Sequence, residues 1–281
     1  MNDIIDIRVL PDNEPFDLEL VDAVEMEGKL DYVGPHRHKY YEIFWVLTGE
    51  GSHSIDFIEY PLIPDRIYFM APGQVHEAHS IADTMFALSF NPDFVNPDYR
   101  SQLAVERIFS QNSASGPFVI LDDTGRRELK QLLNMMMRER QAESPDHEML
   151  SALLTGFMRY LMRYSPDQGE SASESDQRMV KLMSLIEDHY KSHKDTSFYA
   201  DKLALSSKRV NELTRAHFSK TVTQLIHDRI MLEAKRDLAY TNKTVKAIAL
   251  DLGIEDVTYF SRFFRRNEGE SPKAFRDKMF K

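Results

Sequence analysis

From about Leu30 to Phe90 the apolar positions fall in short runs, YEIFWVLTG, GSHSIDFIEYPLI, RIYFMAPG and TMFALSF. Turn signals divide them at Gly49-Glu50-Gly51, Pro61, Pro64-Asp65 and Pro72-Gly73. Short β-rich runs between such breaks predict a small all-β sandwich or barrel. The period then changes. Leu129, Leu132, Leu133 and Met136 share one helical face, as do Leu150, Leu153, Leu154, Phe157 and Leu161, with Pro145-Asp146 between them. This pattern predicts a helical hairpin after the barrel.

The segment Ser165–Gln177 holds no large apolar residue and is rich in Ser, Asp, Glu and Gln. Such a stretch cannot bury enough surface to offset its ordering entropy and reads as a flexible linker. Beyond it the pattern is helical: Arg178–His189, Ser197–Ala204, Ser207–Phe218, Val222–Tyr240, Val245–Asp251, Val257–Asn267, and a last short helix from Ser271-Pro272. The expected organisation is a sensing and dimerisation domain over 1–164, a linker over 165–177 and a helical domain over 178–281.

Charge sharpens that division. The net charge of −10 speaks against a nucleic-acid partner, but residues 1–177 carry 14 Lys and Arg against 31 Asp and Glu, and residues 178–281 carry 21 against 14. A −17 half joined to a +7 half points to a basic module aimed at a polyanion. Zero cysteines exclude disulfide scaffolds, thiolate zinc sites, iron–sulfur clusters and cysteine nucleophiles. There is no secretory pattern at the start and no membrane-spanning apolar run, so a cytoplasmic protein without membrane contact is expected.

The basic half repeats a helix pair. Ala200 with Val210 and Leu213 corresponds to Ala249 with Phe260 and Phe263, and Gly253 supplies a turn. A small residue in one helix that lets the next cross it closely is a requirement of the helix-turn-helix, whose second helix enters the major groove. The helix between the pairs runs about 19–20 residues, or roughly 29 Å, near the ~34 Å repeat of major grooves on one side of a duplex. Ser207, Lys208, Arg209, Asn211, Glu212 and Arg215 occupy the solvent face of the first second-helix. Thr258, Tyr259, Ser261, Arg262, Arg265 and Arg266 occupy that of the other.

The run AIALDLGIEDVTYFSRFFRRNEGESPKAFR (Ala247–Arg276) resembles the C-terminal signature of AraC/XylS-type bacterial transcription regulators. Matching positions are Ile248-Ala249, Gly253, Tyr259-Phe260-Ser261-Arg262, Phe264-Arg265, Gly269, Ser271-Pro272 and Arg276; Ile254 departs, standing where the family usually has Phe. The resemblance implies a double helix-turn-helix on double-stranded DNA. Lys208, Asn211, Glu212, Thr258, Tyr259 and Arg262 would face bases, and Lys220, Lys243, Arg265, Arg266 and Lys273 phosphates. It also implies a homodimer formed through the helices near 124–164, whose apolar stripes fit either a helix pair shared between subunits or packing onto their own barrel, and RNA polymerase enters as a further candidate partner of an activator.

The acidic half contains His36-Arg37-His38, then Glu42 and Gly49, and later Pro72-Gly73-Gln74-Val75-His76, a spacing similar to the cupin double motif. Two readings stay open. His36, His38, Glu42 and His76 form a ligand set for a divalent Zn, Mn or Fe ion. Alternatively the barrel takes an organic effector without cofactor, with Trp45, Phe57, Tyr68 and Phe69 packing and His36, Arg37, His38, His53 and Arg66 as polar contacts. The fold class expected is two-domain α+β: an N-terminal cupin-like β-barrel with a helical hairpin, then an all-α double helix-turn-helix. The function expected is an effector-controlled transcription regulator, not an enzyme. The competing classes are a metal-dependent cupin enzyme with an appended DNA-binding module and a sensor that binds only protein partners.

Overall fold

The computed structural model describes residues 6–10, 15–22, 34–80, 82–91, 94–95, 105, 108–109, 116–164 and 174–279. The chain separates into two compact units, one over residues 6–170 and one over 171–281.

Among its described residues the first unit shows ten strands and two long helices. The strands are β1 (Asp6–Arg8), β2 (Phe16–Asp22), β3 (His36–His38), β4 (Tyr41–Thr48), β5 (Gly51–Ile55), β6 (Ile58–Leu62), β7 (Arg66–Met70), β8 (Val75–Ser80), β9 (Thr84–Phe90) and β10 (Phe118–Ile120). They form two five-stranded sheets, ordered β1-β3-β8-β5-β6 and β10-β7-β4-β9-β2. All pairs are antiparallel except β1 with β3. The first two strands lie before the region from which strands were expected, and Leu30 falls outside the described residues. The barrel is thus realised as two sheets facing one another.

Both faces of the second sheet are covered, so β4 and β7 read as nearly continuous apolar runs, not as clean alternation. One face meets α1 (Asp123–Arg140) and α2 (His147–Tyr164), an antiparallel hairpin whose crossing brings the Tyr164 hydroxyl to Glu128 Oε2 at 2.8 Å. Ile43, Trp45, Ile67, Phe69, Phe86 and Leu88 pack there with Leu129, Leu133, Met136, Leu154, Phe157 and Leu161. The stripes read from the sequence are therefore buried against their own sheet. Asp122 caps α1 by accepting from Gly125 N at 2.7 Å. The opposite face carries a smaller core of Val46, Leu62, Tyr68 and Ala82, with Phe44, Tyr60 and Phe118 beside it.

The second unit is helical: α3 (Glu174–His189), α4 (Thr196–Lys202), α5 (Ser207–Phe218), α6 (Val222–Tyr240), α7 (Val245–Asp251), α8 (Val257–Glu268) and α9 (Pro272–Met279). The segment read as linker lies outside the described residues over 165–173, and 174–177 already belong to α3. Helix α4 ends before the expected Ala204 because that residue takes a left-handed conformation, φ 52°, which no α-helix continues through. α6 is buried along most of its length, including Ile226, Ile230, Ala234 and Leu238. That makes it the spine around which the other helices pack.

Candidate DNA-binding surface and sensor cluster

The two helix pairs of the second unit agree down to single hydrogen bonds. In α4–α5 the chain turns at Ala204 and Leu205 N donates to Ala200 O at 3.0 Å; in α7–α8 it turns at Gly253, φ 67°, and Ile254 N donates to Ala249 O at 2.8 Å. Ala200 and Ala249 are buried where the following helix crosses. Ser206 then caps α5 through Arg209 N at 3.2 Å. Asp256 caps α8 through Thr258 N and Tyr259 N at 2.8 and 3.0 Å, bonds that hold its carboxyl below the usual range. Val210 and Leu213 turn inward from α5, and Phe260 and Phe263 from α8. Both helices close on left-handed C-caps, Ser219 and Gly269. Thr221 and Ser271 then start the next helix, their hydroxyls accepting from Gln224 N and Ala274 N. The repeat thus spans three helices each time.

Ser207, Lys208, Arg209, Glu212 and Arg215 are exposed on α5, and Thr258, Tyr259, Arg262, Arg265 and Arg266 on α8. Two residues expected beside them are half-buried and engaged. Asn211 Oδ1 accepts from Val222 N at 3.0 Å and so serves the start of α6, a correction to its reading as a base-facing amide. At the equivalent place in α8, Ser261 donates to Val257 O at 2.9 Å, bonding back to its own helix instead of facing outward. Arg209 and Glu212 pair at 3.2 Å on the surface. Two of the lysines expected on phosphate are already paired within the chain: Lys220 on Asp228 at 2.8 Å at the surface, and Lys243 on Asp237 and Asp251 at 3.2 and 2.8 Å. Lys273 is exposed.

Buried charge fixes α6 under these helices. Arg229 bonds Glu187 of α3 through Nε and a terminal nitrogen at 2.6 and 2.7 Å, and Glu233 at 3.0 Å; Arg236 also reaches Glu233, at 3.1 Å. Burial opposes the charge of Arg229, but the carboxylates outweigh it and its pKa is raised. Arg276 donates to Leu238 O at 3.1 Å and Lys243 O at 2.7 Å, satisfying carbonyls around the end of α6.

In the first unit, strand alternation decides what faces the space between the sheets. On β4 that set is Glu42, Phe44 and Val46, and on β7 it is Arg66, Tyr68 and Met70. Trp45 and Phe69 belong to the other set and lie in the core under α1 and α2, which corrects their reading as interior residues. Arg37 alternates away from His36 and His38 and leaves that interior too. Phe57 sits in the β5–β6 turn with Asp56, at φ 74° and 46°. Tyr68 is buried, its hydroxyl donates to Pro61 O, and its pKa is raised by burial. The Arg66 guanidinium lies 4.4 Å over the Phe118 ring. Phe44, Tyr60 and Phe118 were not singled out from sequence, although Phe44 shares the face of Glu42 by simple alternation.

Four histidines line one end of this interior. His38 Nδ1 donates to Tyr40 O at 2.6 Å, and His36 Nδ1 donates to Gly34 O at 3.0 Å. Glu42 Oε2 lies 3.2 Å from His38 Nε2 and 3.4 Å from His76 Nε2, all three residues being buried. The candidate ligand atoms of His38, Glu42 and His76 lie within 4.8 Å of one another. His36 stays outside that group, its ring tilted 4.1 Å from that of His76. Burial lowers the pKa values of His36 and His76, and takes that of His53 to about 4. No helix among the described residues is long and apolar enough to cross a membrane.

Residues 199–278 match the family described as a helix-turn-helix domain, and residues 21–158 match the AraC-like ligand binding domain. The chain is 23% identical over 261 residues to the HTH-type transcriptional activator RhaS of Pectobacterium carotovorum, covering 92% of each chain. It is 26% identical over 261 residues to the arabinose operon regulatory protein of Salmonella typhimurium, covering 90% of each. The crystal structure of ToxT from Vibrio cholerae aligns over 94% of this chain and 98% of its own, with 12% identity and a TM-score of 0.42.

Proposed function

The chain belongs to the AraC family of transcription regulators, and from that premise we propose that it binds operator DNA through α5 and α8 and activates transcription in response to a small molecule held between its sheets. The doubled helix-turn-helix, with matched turns, caps and inner faces, carries this reading. The 19-residue α6 is about 28 Å long at 1.5 Å per residue, close to the ~34 Å between major grooves on one side of a duplex. Lys208, Arg209 and Arg215 on one reading helix and Arg262, Arg265 and Arg266 on the other supply its cations. Arg262 and Tyr259 are the residues best placed for bases, and Arg265 and Arg266 for phosphates.

Activation is the role printed for the RhaS relatives; on our reading the protein acts in the cytoplasm and contacts RNA polymerase. The effector would be met by Phe44, Tyr60, Tyr68, Phe118 and Arg66, an aromatic lining with one cation suited to an acid or a sugar. A second copy of the chain would dock on the outer face of α1, where Met135 is exposed beside a groove lined by Gln131, Asn134 and Arg138.

Binding of the full chain to duplex DNA across a salt series tests the central claim. Each phosphate neutralised contributes a slope of about −0.9 in log K against log salt, so several exposed arginines acting together require a slope of several units. A flat dependence would sink it.

A further inference from the structure

We propose that Lys194 is a positioning residue for DNA reading, a clamp between the first repeat and the turn of the second. It holds α5 and α8 at a fixed separation and so sets the operator spacing that the protein accepts; this rests on the reading that both helices enter the duplex. Lys194 lies in the connection between α3 and α4, and its Nζ donates to Lys191 O and to Gly253 O, each at 2.8 Å. The two carbonyls stand just past the C-termini of α3 and α7, where the partial negative charge of a helix end favours a cation. One side chain thus joins backbone 59 residues apart in sequence.

The connection is fixed to its own repeat. The Tyr199 hydroxyl donates to His193 O at 2.8 Å, the His193 ring stacks on Phe198 at 3.7 Å, and Asp195 caps α4 through Phe198 N at 3.0 Å. It also lies directly against the second turn: a Cβ on Gly253 would stand 2.0 Å from Lys191 O and 2.8 Å from Lys194 Nζ. Ile254, the next residue, closes that turn on Ala249 O and sets where α8 departs. The path from the first repeat to α8 is therefore short, made of backbone and one side chain, and runs outside α6. At the equivalent turn of the first repeat, Ala204 carries the Cβ for which Gly253 has no room. The rival arrangement is one in which α6 alone sets the separation and Lys194 only satisfies two carbonyls.

The test uses the full chain and a duplex that it selects from a random-sequence pool, with one base pair then inserted or removed between the two elements it protects. Each such change turns one element about 34° from the other. The wild type loses at least about tenfold in affinity for the altered duplexes. Lys194→Met, which keeps the apolar stem and loses the donors, accepts them nearly as well as the selected one. A folded Lys194→Met protein with the wild-type spacing preference overturns the clamp. A wild-type chain that selects no duplex overturns the regulator reading itself, and the operator-spacing role with it. A second measurement needs no DNA. The chain has no cysteine, so nitroxides on Asp201→Cys in α4 and Lys246→Cys in α7, both exposed, report the separation of the repeats when diluted in unlabelled chain. The wild type gives a narrow distance distribution that Lys194→Met broadens; a broad one in the wild type, or no change in the variant, overturns the clamp. Should Lys194→Met fail to fold by circular dichroism, Lys194→Gln, which shortens the side chain, replaces it in both measurements.

Discussion

The two helix-turn-helix repeats share a scaffold and differ in how they achieve it. The second turns on a glycine, caps its reading helix with an aspartate that accepts two backbone N–H groups, and fills its inner face with Phe260 and Phe263. The first turns on Ala204 in a left-handed conformation, caps with one serine bond, and packs the smaller Val210 and Leu213. On the outside, α8 exposes Arg262, Arg265 and Arg266, whereas α5 spends Arg209 on Glu212. The second repeat is therefore the better fixed and the more cationic reader. The first reaches the same backbone with smaller inner residues and a strained turn.

The largest test of that asymmetry is Gly253→Ala. A Cβ at Gly253 would lie 2.0 Å from Lys191 O, and the residue sits at φ 67°. The left-handed conformation alone costs about 1–2 kcal/mol in a non-glycine residue, and the carbonyl collision adds to it. We expect a loss of at least ~2 kcal/mol in denaturant unfolding of the helical unit. A variant as stable as the wild type would show that the turn can shift and that the second repeat is not the rigid one.

Arg262→Ala and Asn211→Ala separate reading from holding. If Arg262 reads a base, its loss weakens binding to the operator by roughly 1–3 kcal/mol while nonspecific binding changes less, so discrimination narrows. Asn211→Ala removes the acceptor for Val222 N and is expected to cost about 1 kcal/mol of stability, the size of an N-cap loss, with discrimination between sites intact. Competition binding against a scrambled duplex checks both. Narrowed discrimination in the folded Asn211→Ala protein would return that residue to the reading face.

What sequence could disclose follows from the same physics. The helical repeat was legible because its small residues, inner apolar positions and turn glycine recur at fixed offsets, and helix faces keep one polar side. The sensor interior was legible only in part. His38, Glu42 and His76 converge as their spacing suggested, but Trp45 and Phe69 were assigned to the wrong face. Both faces of β4 and β7 are covered, so alternation vanishes from the hydropathy pattern, and only counting by twos from Glu42 would have selected Phe44 over Trp45. The strands β1 and β2 were missed because Asp6–Arg8 and Phe16–Asp22 owe their place to partners distant in sequence, β3 and β9. Asn211 and Ser261 lie on the outward arc by helical period, yet their side chains find local backbone partners that periodicity does not register.

The smallest expected effect has the opposite sign. Ala204 holds φ 52° where the second repeat has Gly253, so Ala204→Gly relieves a left-handed alanine. Against that relief stands the greater freedom glycine gives the unfolded chain, about 0.4–1 kcal/mol. Because the left-handed penalty for alanine is about 1–2 kcal/mol, the balance favours the variant by roughly 0–1.6 kcal/mol. A rise in the denaturation midpoint with unchanged m-value is the expected reading, since the exposed surface of neither state is altered. A fall would mean that the Ala204 methyl group contributes packing the first turn needs. In that case the two turns would be different solutions to the same crossing, and not one design carried at two levels of strain.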